Sequence, residues 1–89
     1  MSLNRFEIVK STAGHDKGNI YMVAEILDND YILLIDGKNK KISNPKKKKI
    51  KHIISLNVVE NQIESVFEDK SKINDGEIKK ILKKYQKKC

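Results

Sequence analysis

Ala13-Gly14-His15-Asp16-Lys17-Gly18-Asn19 lies between Arg5-Phe6-Glu7-Ile8-Val9-Lys10 and Ile20-Tyr21-Met22-Val23-Ala24-Glu25-Ile26-Leu27. Seven residues with two glycines, an Asp and a Lys are turn chemistry, because glycine reaches positive φ without steric cost and Asp bonds nearby backbone. The flanking runs have the period of strands. Phe6, Ile8 and Lys10 alternate with Arg5, Glu7 and Val9, and Ser11-Thr12 carries the run on towards the loop; this suits a short strand with a partly buried face. In the second run Ile20, Met22, Ala24 and Ile26 share one face, and Tyr21, Val23, Glu25 and Leu27 the other. Apolar residues on both faces predict a strand of a barrel or of a two-layer β fold.

Outward from this stretch, Asp28-Asn29-Asp30 is a turn of hairpin length. Tyr31-Ile32-Leu33-Leu34-Ile35 is a second rich strand, closed by the turn dipeptide Asp36-Gly37. Together the two rich runs predict an antiparallel hairpin. Lys38-Asn39-Lys40-Lys41-Ile42-Ser43 is only weakly strand-like, and Pro45 lacks the N–H that a central strand must donate, so it fits an edge or a loop. Lys46 to Lys49 follow in a row. Ile50-Lys51-His52-Ile53-Ile54 reads either as a last short strand or as a single 3₁₀ turn leading into one. About five short strands in the first ~56 residues predict a mainly β fold built on a small barrel.

Beyond Leu56 the pattern changes to helical. Val59, Ile63, Val66 and Phe67 follow i, i+4, i+7 and i+8, which predicts an amphipathic helix over about 59–68, although Val58-Val59 equally extends a strand. Glu68-Asp69-Lys70-Ser71-Lys72 is a polar linker. A second helix is predicted over about 75–86, with Asn74 as N-cap, Glu77 three residues on, and Ile73 and Ile78 as a hydrophobic staple. Asp75 and Glu77 suit its positive end, and Lys83, Lys84, Lys87 and Lys88 its negative end. Its stripe of Ile78, Ile81, Leu82 and Tyr85 must pack on the barrel or on the preceding helix, because so short a helix is marginal alone. The expected plan is a barrel over residues 1–56 and a helical extension over residues 57–89.

The 89 residues have room for one domain with a thin core. No apolar run is long enough to span a membrane. The N-terminus lacks the charged-then-apolar pattern of a secretory signal, and a single cysteine, Cys89, fits a reducing compartment. The expected location is therefore cytoplasmic, with no membrane partner.

Charge narrows the function. The net charge is +7, and it is not spread evenly. Residues 1–36 carry three basic and six acidic side chains, residues 37–59 eight lysines and no acid, and residues 60–89 eight basic and six acidic groups. The excess lies in the central block, the footprint expected for a polyanion partner. Lys38, Lys40, Lys41, Lys46, Lys47, Lys48, Lys49 and Lys51 can touch several phosphates as mobile point charges that read no base sequence. Base stacking needs exposed aromatic rings. Phe6, Tyr21, Tyr31, Phe67 and Tyr85 all lie on apolar-periodic stretches and are expected mostly in the core, with Tyr21 and Tyr31 placed to surface near the hairpin ends. Recognition of shape and phosphate is favoured over base reading.

Catalysis finds little support. His15 beside Asp16 in a glycine loop has no nucleophile to serve. No His, Cys, Asp or Glu cluster has metal-ligand spacing, and Gly14-x-x-x-Gly18 lacks the Gly-Lys-Ser/Thr ending of a nucleotide loop. The expectation is a protein that is not an enzyme, with no cofactor, metal or small-molecule substrate.

Ile8-Val9-Lys10, then Ala13-Gly14-His15-Asp16-Lys17-Gly18-Asn19-Ile20 through Asp36-Gly37, resembles a KOW motif, in which apolar and polar positions alternate around one fixed glycine, matched by Gly18. Asp30-Tyr31-Ile32-Leu33-Leu34-Ile35-Asp36-Gly37, the lysine block and Lys51-His52-Ile53 resemble the fourteenth large-subunit ribosomal protein of archaea and eukaryotes. They resemble still more the short bacterial KOW-domain RNA-binding proteins called ribosomal-protein-like. The likeness covers about residues 5–56 and is weaker at Asn74-Asp75-Gly76-Glu77. It implies an SH3-like barrel whose loop around Gly18 contacts RNA or a ribosomal partner, through Lys10, Ser11, Gly14, His15, Asp16, Lys17 and Gly18. His52, beside the lysine block, reads as a cap or an RNA contact rather than as a base. Two departures remove charge from the loop: His15 stands where similar sequences often have arginine, and Asn19 where a basic residue often follows the glycine. Weight shifts to the lysine block. The function so implied is non-catalytic binding of ribosomal RNA or the ribosome in translation; the alternative is a protein-interaction KOW module of a transcription or translation assembly, using the barrel's apolar grooves and the C-terminal helix.

Overall fold

A computed structural model describes residues 3–59 and 74–86. Its strands are Glu7–Ser11 (β1), Ile20–Ile26 (β2), Tyr31–Ile35 (β3), Lys46–Lys49 (β4) and Ile53–Val59 (β5). A 3₁₀ turn over Ile50–His52 joins β4 to β5, and Asp75–Gln86 is a helix (α1). The strands form one antiparallel sheet in the order β4-β3-β2-β1-β5. Each of the first three strands is the neighbour of the next, and β5 returns to the far side of β1.

The two-faced pattern of β2 explains the layering. Successive strand residues point to opposite faces, so Tyr21 and Val23 go one way and Ile20 and Met22 the other. The first set joins Val9, Ile32 and Leu34 in a core closed by Leu3, Ile50 and Ile53. The second joins Phe6, Ile8 and Ile35 in another core, and Ile78 and Leu82 of α1 complete it. The result is a small barrel-like sheet with its own interior and a helix covering part of its outside, the mainly β class expected.

The seating of α1 is specified locally. Asn74 caps it, its Oδ1 accepting from the Glu77 N–H at 2.9 Å. Asp75 Oδ1 accepts from the Ile42 N–H at 2.8 Å, which ties the helix start to the β3–β4 loop. The first turn of α1 rests on Gly37: a Cβ there would lie 2.1 Å from the Asp75 carbonyl oxygen, and Gly37 has φ +75°. No side chain fits that approach. Ile73, the other half of the expected staple, lies outside the described residues.

Two expectations change. Residues 38–43 make no strand, only an isolated bridge between Lys41 and Asn44. The lysine row itself is the fourth strand, directly after Pro45 and paired from Leu34↔Lys46 to Tyr31↔Lys49. Four lysines have poor strand propensity, but ladder bonds use backbone alone, and an edge position leaves the charged heads in reach of water. The barrel also runs past residue 56, since β5 continues to Val59. A register shift opposite Ile8 and Val9 accommodates the extra residues, with Asn57 at φ +59°. The helix expected over about 59–68 thus loses Val59 to β5, and its remaining residues lie outside the described ones.

Candidate nucleic-acid interface

The glycine loop and the lysine strand, about thirty residues apart in sequence, meet at Asp16. The loop is closed by Ser11, whose N–H donates to the Asn19 carbonyl and whose carbonyl accepts from Gly18 N–H, both at 2.9 Å. Gly14 and Gly18 take φ +85° and +92°, and between them Asp16 turns inward, 8% exposed. Its Oδ1 accepts from Ser11 Oγ at 2.9 Å and from Lys48 Nζ at 2.7 Å. Its Oδ2 accepts from Tyr21 OH at 3.1 Å and pairs with Lys46 Nζ at 2.8 Å. Lys48 Nζ donates further to the Ala13 carbonyl at 2.8 Å. Burial pushes the Asp16 carboxyl upward, but the Lys46 and Lys48 ammonium groups and the Ser11 and Tyr21 hydroxyls outweigh it and hold the group well below the usual carboxylate range. The same contact pushes the Lys46 ammonium up. Burial, reinforced by Asp16, pushes the Tyr21 phenol up against the opposing Asn19 amide.

Strand alternation therefore divides the lysine row. Lys46 and Lys48 stand opposite Leu34 and Ile32, on the interior face, and their heads close on Asp16. Lys47 and Lys49 stand opposite Leu33 and Tyr31, on the outer face, and are exposed. Their ammonium groups lie 4.6 and 5.9 Å from the centroid of the half-buried Tyr31 ring. Beside it runs a groove of about 420 Å³ lined by Asn29, Asp30, Tyr31, Lys49, Ile50 and Lys51.

The other expected site residues are scattered around these two features. His15, Lys17 and Gly18 are exposed at the loop tip, and Lys10 is half-buried on β1. Ser11 and Asp16 are buried and spent on the internal network, so their side chains face the protein rather than a partner. Gly14 sits beside the Lys48 ammonium. Lys38 and Lys41 are exposed and Lys40 half-buried on the β3–β4 loop, where the Asp36 carboxylate accepts the Lys38, Asn39 and Lys40 N–H groups. Lys51 is exposed on the 3₁₀ turn, and His52 accepts from Thr12 N–H through its carbonyl.

Three side chains enter that the sequence did not single out as binding residues. Tyr31 was one of two aromatics placed to surface; it does, whereas Tyr21 is 2% exposed. Lys79 and Lys83 of α1, spaced i and i+4, join Lys38, Asp36 and Leu82 around a second groove of about 210 Å³. Their spacing placed them on one helix face, but nothing local said that the face would meet the β3–β4 loop.

Among the described residues no helix is long and apolar enough to cross a membrane. Compared with known protein families and with curated proteins, the chain matches none.

Proposed function

We propose that the chain is a non-catalytic RNA-binding module of the KOW kind, acting in the cytoplasm on ribosomal RNA or on the ribosome in translation. The observation that carries this reading is the outer face of β4, where Lys47 and Lys49 flank a half-exposed tyrosine with Lys51 alongside. Basic groups interleaved with an aromatic ring on an open sheet edge suit a phosphate backbone and its bases. The block of eight lysines without an acid supports it, as does the KOW resemblance over residues 5–56. The glycine loop has a smaller part in this reading: it holds β4 in place through Asp16 and offers His15, Lys17 and the Gly18 backbone at its tip.

The test separates the two halves of the lysine row. If about four phosphates of single-stranded RNA are neutralised, log K falls against log salt with a slope near about −3. Replacing Lys47 and Lys49 by glutamine weakens binding, reduces that slope by about 1.4 and leaves stability nearly unchanged. Replacing Lys46 and Lys48 instead lowers stability and changes the slope little. Salt-insensitive binding, or unaltered binding without Lys47 and Lys49, overturns the proposal. Co-sedimentation with ribosomes at low and high salt, followed by cross-linking, identifies the RNA. A protein partner retained after nuclease treatment would support the protein-interaction alternative instead.

A further inference from the structure

Phe6 and Tyr21 are buried in the two cores, and Tyr85 packs against the outer one. Phe6 also has a cation over its ring, the Arg5 guanidinium at 4.9 Å, but is 3% exposed, whereas the half-buried Tyr31 has two ammonium groups near its ring and borders an open groove. We infer that Tyr31 is a platform on which an unpaired RNA base stacks, while Lys49 and Lys51 hold the adjoining phosphate. The inference rests on the RNA-binding reading and sharpens it: the ligand is single-stranded at this point, and the base contributes to affinity.

The chemistry of the groove suits a nucleotide. Its volume of about 420 Å³ is within the range of small-ligand clefts. Lys49 and Lys51 attract a phosphate, whereas Asp30, the carboxylate in the lining, repels one and accepts N–H groups from a base edge. The two ends of a nucleotide are thereby told apart.

The backbone that carries the ring is fixed. Asp28 Oδ1 accepts the Tyr31 N–H at 2.8 Å and the Asp30 N–H at 2.7 Å. The Tyr31 carbonyl accepts the Leu27 N–H at 3.1 Å, and the Asp30 carbonyl accepts the Ile50 N–H at 2.8 Å. Both walls of the groove are pinned to each other, so the ligand has little backbone left to order.

Lys47 and Lys49 now occupy the ring. The two exposed cation–π contacts are together worth about 1–2 kcal/mol, and a base stacked on an aromatic side chain about 1–3 kcal/mol. The base displaces both ammonium groups, and the exchange is favoured because the freed lysines find phosphates within reach of their long stems. A duplex gains nothing of this kind, because its bases are already stacked.

The experiment measures affinity for a single-stranded oligoribonucleotide of ~12 nucleotides and for the same strand in a duplex. Tyr31→Ala weakens single-strand binding by about 5- to 100-fold and duplex binding by less than about twofold. Tyr31→Phe keeps parental affinity. Tyr31→Leu, which refills the half-buried space without a π face, behaves as Tyr31→Ala does and covers the case in which the alanine variant folds poorly. If loss of the ring has no effect, or an equal effect on both ligands, while Lys47→Gln with Lys49→Gln weakens both, stacking is refuted and RNA binding stands. If the parent binds neither ligand, the RNA-binding reading fails and this inference with it.

Discussion

Asp16→Ala is the substitution that asks most of the structure. It removes the acceptor of two ammonium groups and two hydroxyls at once. Taking one partner from a buried ion pair costs about 3–5 kcal/mol, because the other charge is left uncompensated. Two features reduce that figure. The Lys46 side chain is 29% exposed and can swing to water, and Lys48 keeps its bond to the Ala13 carbonyl. One feature adds to it: the buried Tyr21 hydroxyl loses its acceptor, a loss of about 1–3 kcal/mol if nothing replaces it. The expected net loss is about 2–4 kcal/mol, a large share of the stability of a small domain. Urea denaturation followed by circular dichroism reads it directly. Pairing Asp16→Ala with Lys48→Met, which fills the lysine's space without its charge, recovers much of the loss. RNA titration adds an opposite readout, since freeing the more exposed Lys46 steepens the salt dependence while the fold weakens. A stability change within about 0.5 kcal/mol, the usual range for a surface residue, would mean that Asp16 does not hold the loop and β4 together. So would failure of Lys48→Met to compensate.

Three further outcomes follow from the same contacts. The Asp16 carboxyl is held below its unfolded value of about 3.9, so the unfolded chain binds the extra proton; its stabilisation is complete above that pH and lost as the pH falls through the folded value. The stability gap between parent and Asp16→Asn therefore narrows between about pH 5 and pH 2, and a gap independent of pH would contradict the assignment. Gly37→Ala puts a Cβ 2.1 Å from the Asp75 carbonyl oxygen at φ +75°, whereas at Gly18 the added Cβ meets nothing within 4 Å. Gly18→Ala accordingly costs about 1–2 kcal/mol of backbone strain, and Gly37→Ala about 1–3 kcal/mol more, with loss of helical circular dichroism ahead of the sheet signal. Asn74→Ala removes the cap of α1 and lowers its stability by about 1 kcal/mol, and Asn74→Asp largely preserves it; equal losses in the two variants would argue against the cap.

The local chemistry of the chain was sufficient for most of the fold. The apolar residues on both faces of residues 20–27 required two buried layers, and the structure has two cores that divide Tyr21 and Val23 from Ile20 and Met22. The capping residue and stripe of α1 were equally legible, because capping and amphipathicity depend on neighbours within one or two turns. Asp36-Gly37 was legible as a turn, but not as the seat of a helix, since that depends on what packs against it.

The charge, its concentration in one block, the alternation that makes strands and the stripe that makes a helix can all be read along the chain. What each lysine does depends on how the strands pair. As a row, Lys46 to Lys49 look equivalent. Once backbone pairing with β3 makes them a strand, adjacent side chains must point to opposite faces. Lys46 and Lys48 are thereby committed to Asp16, thirty and thirty-two residues away, and Lys47 and Lys49 are turned outward onto Tyr31. Charge is a property of composition, but its availability to a ligand depends on which counter-charge the fold brings within hydrogen-bond distance.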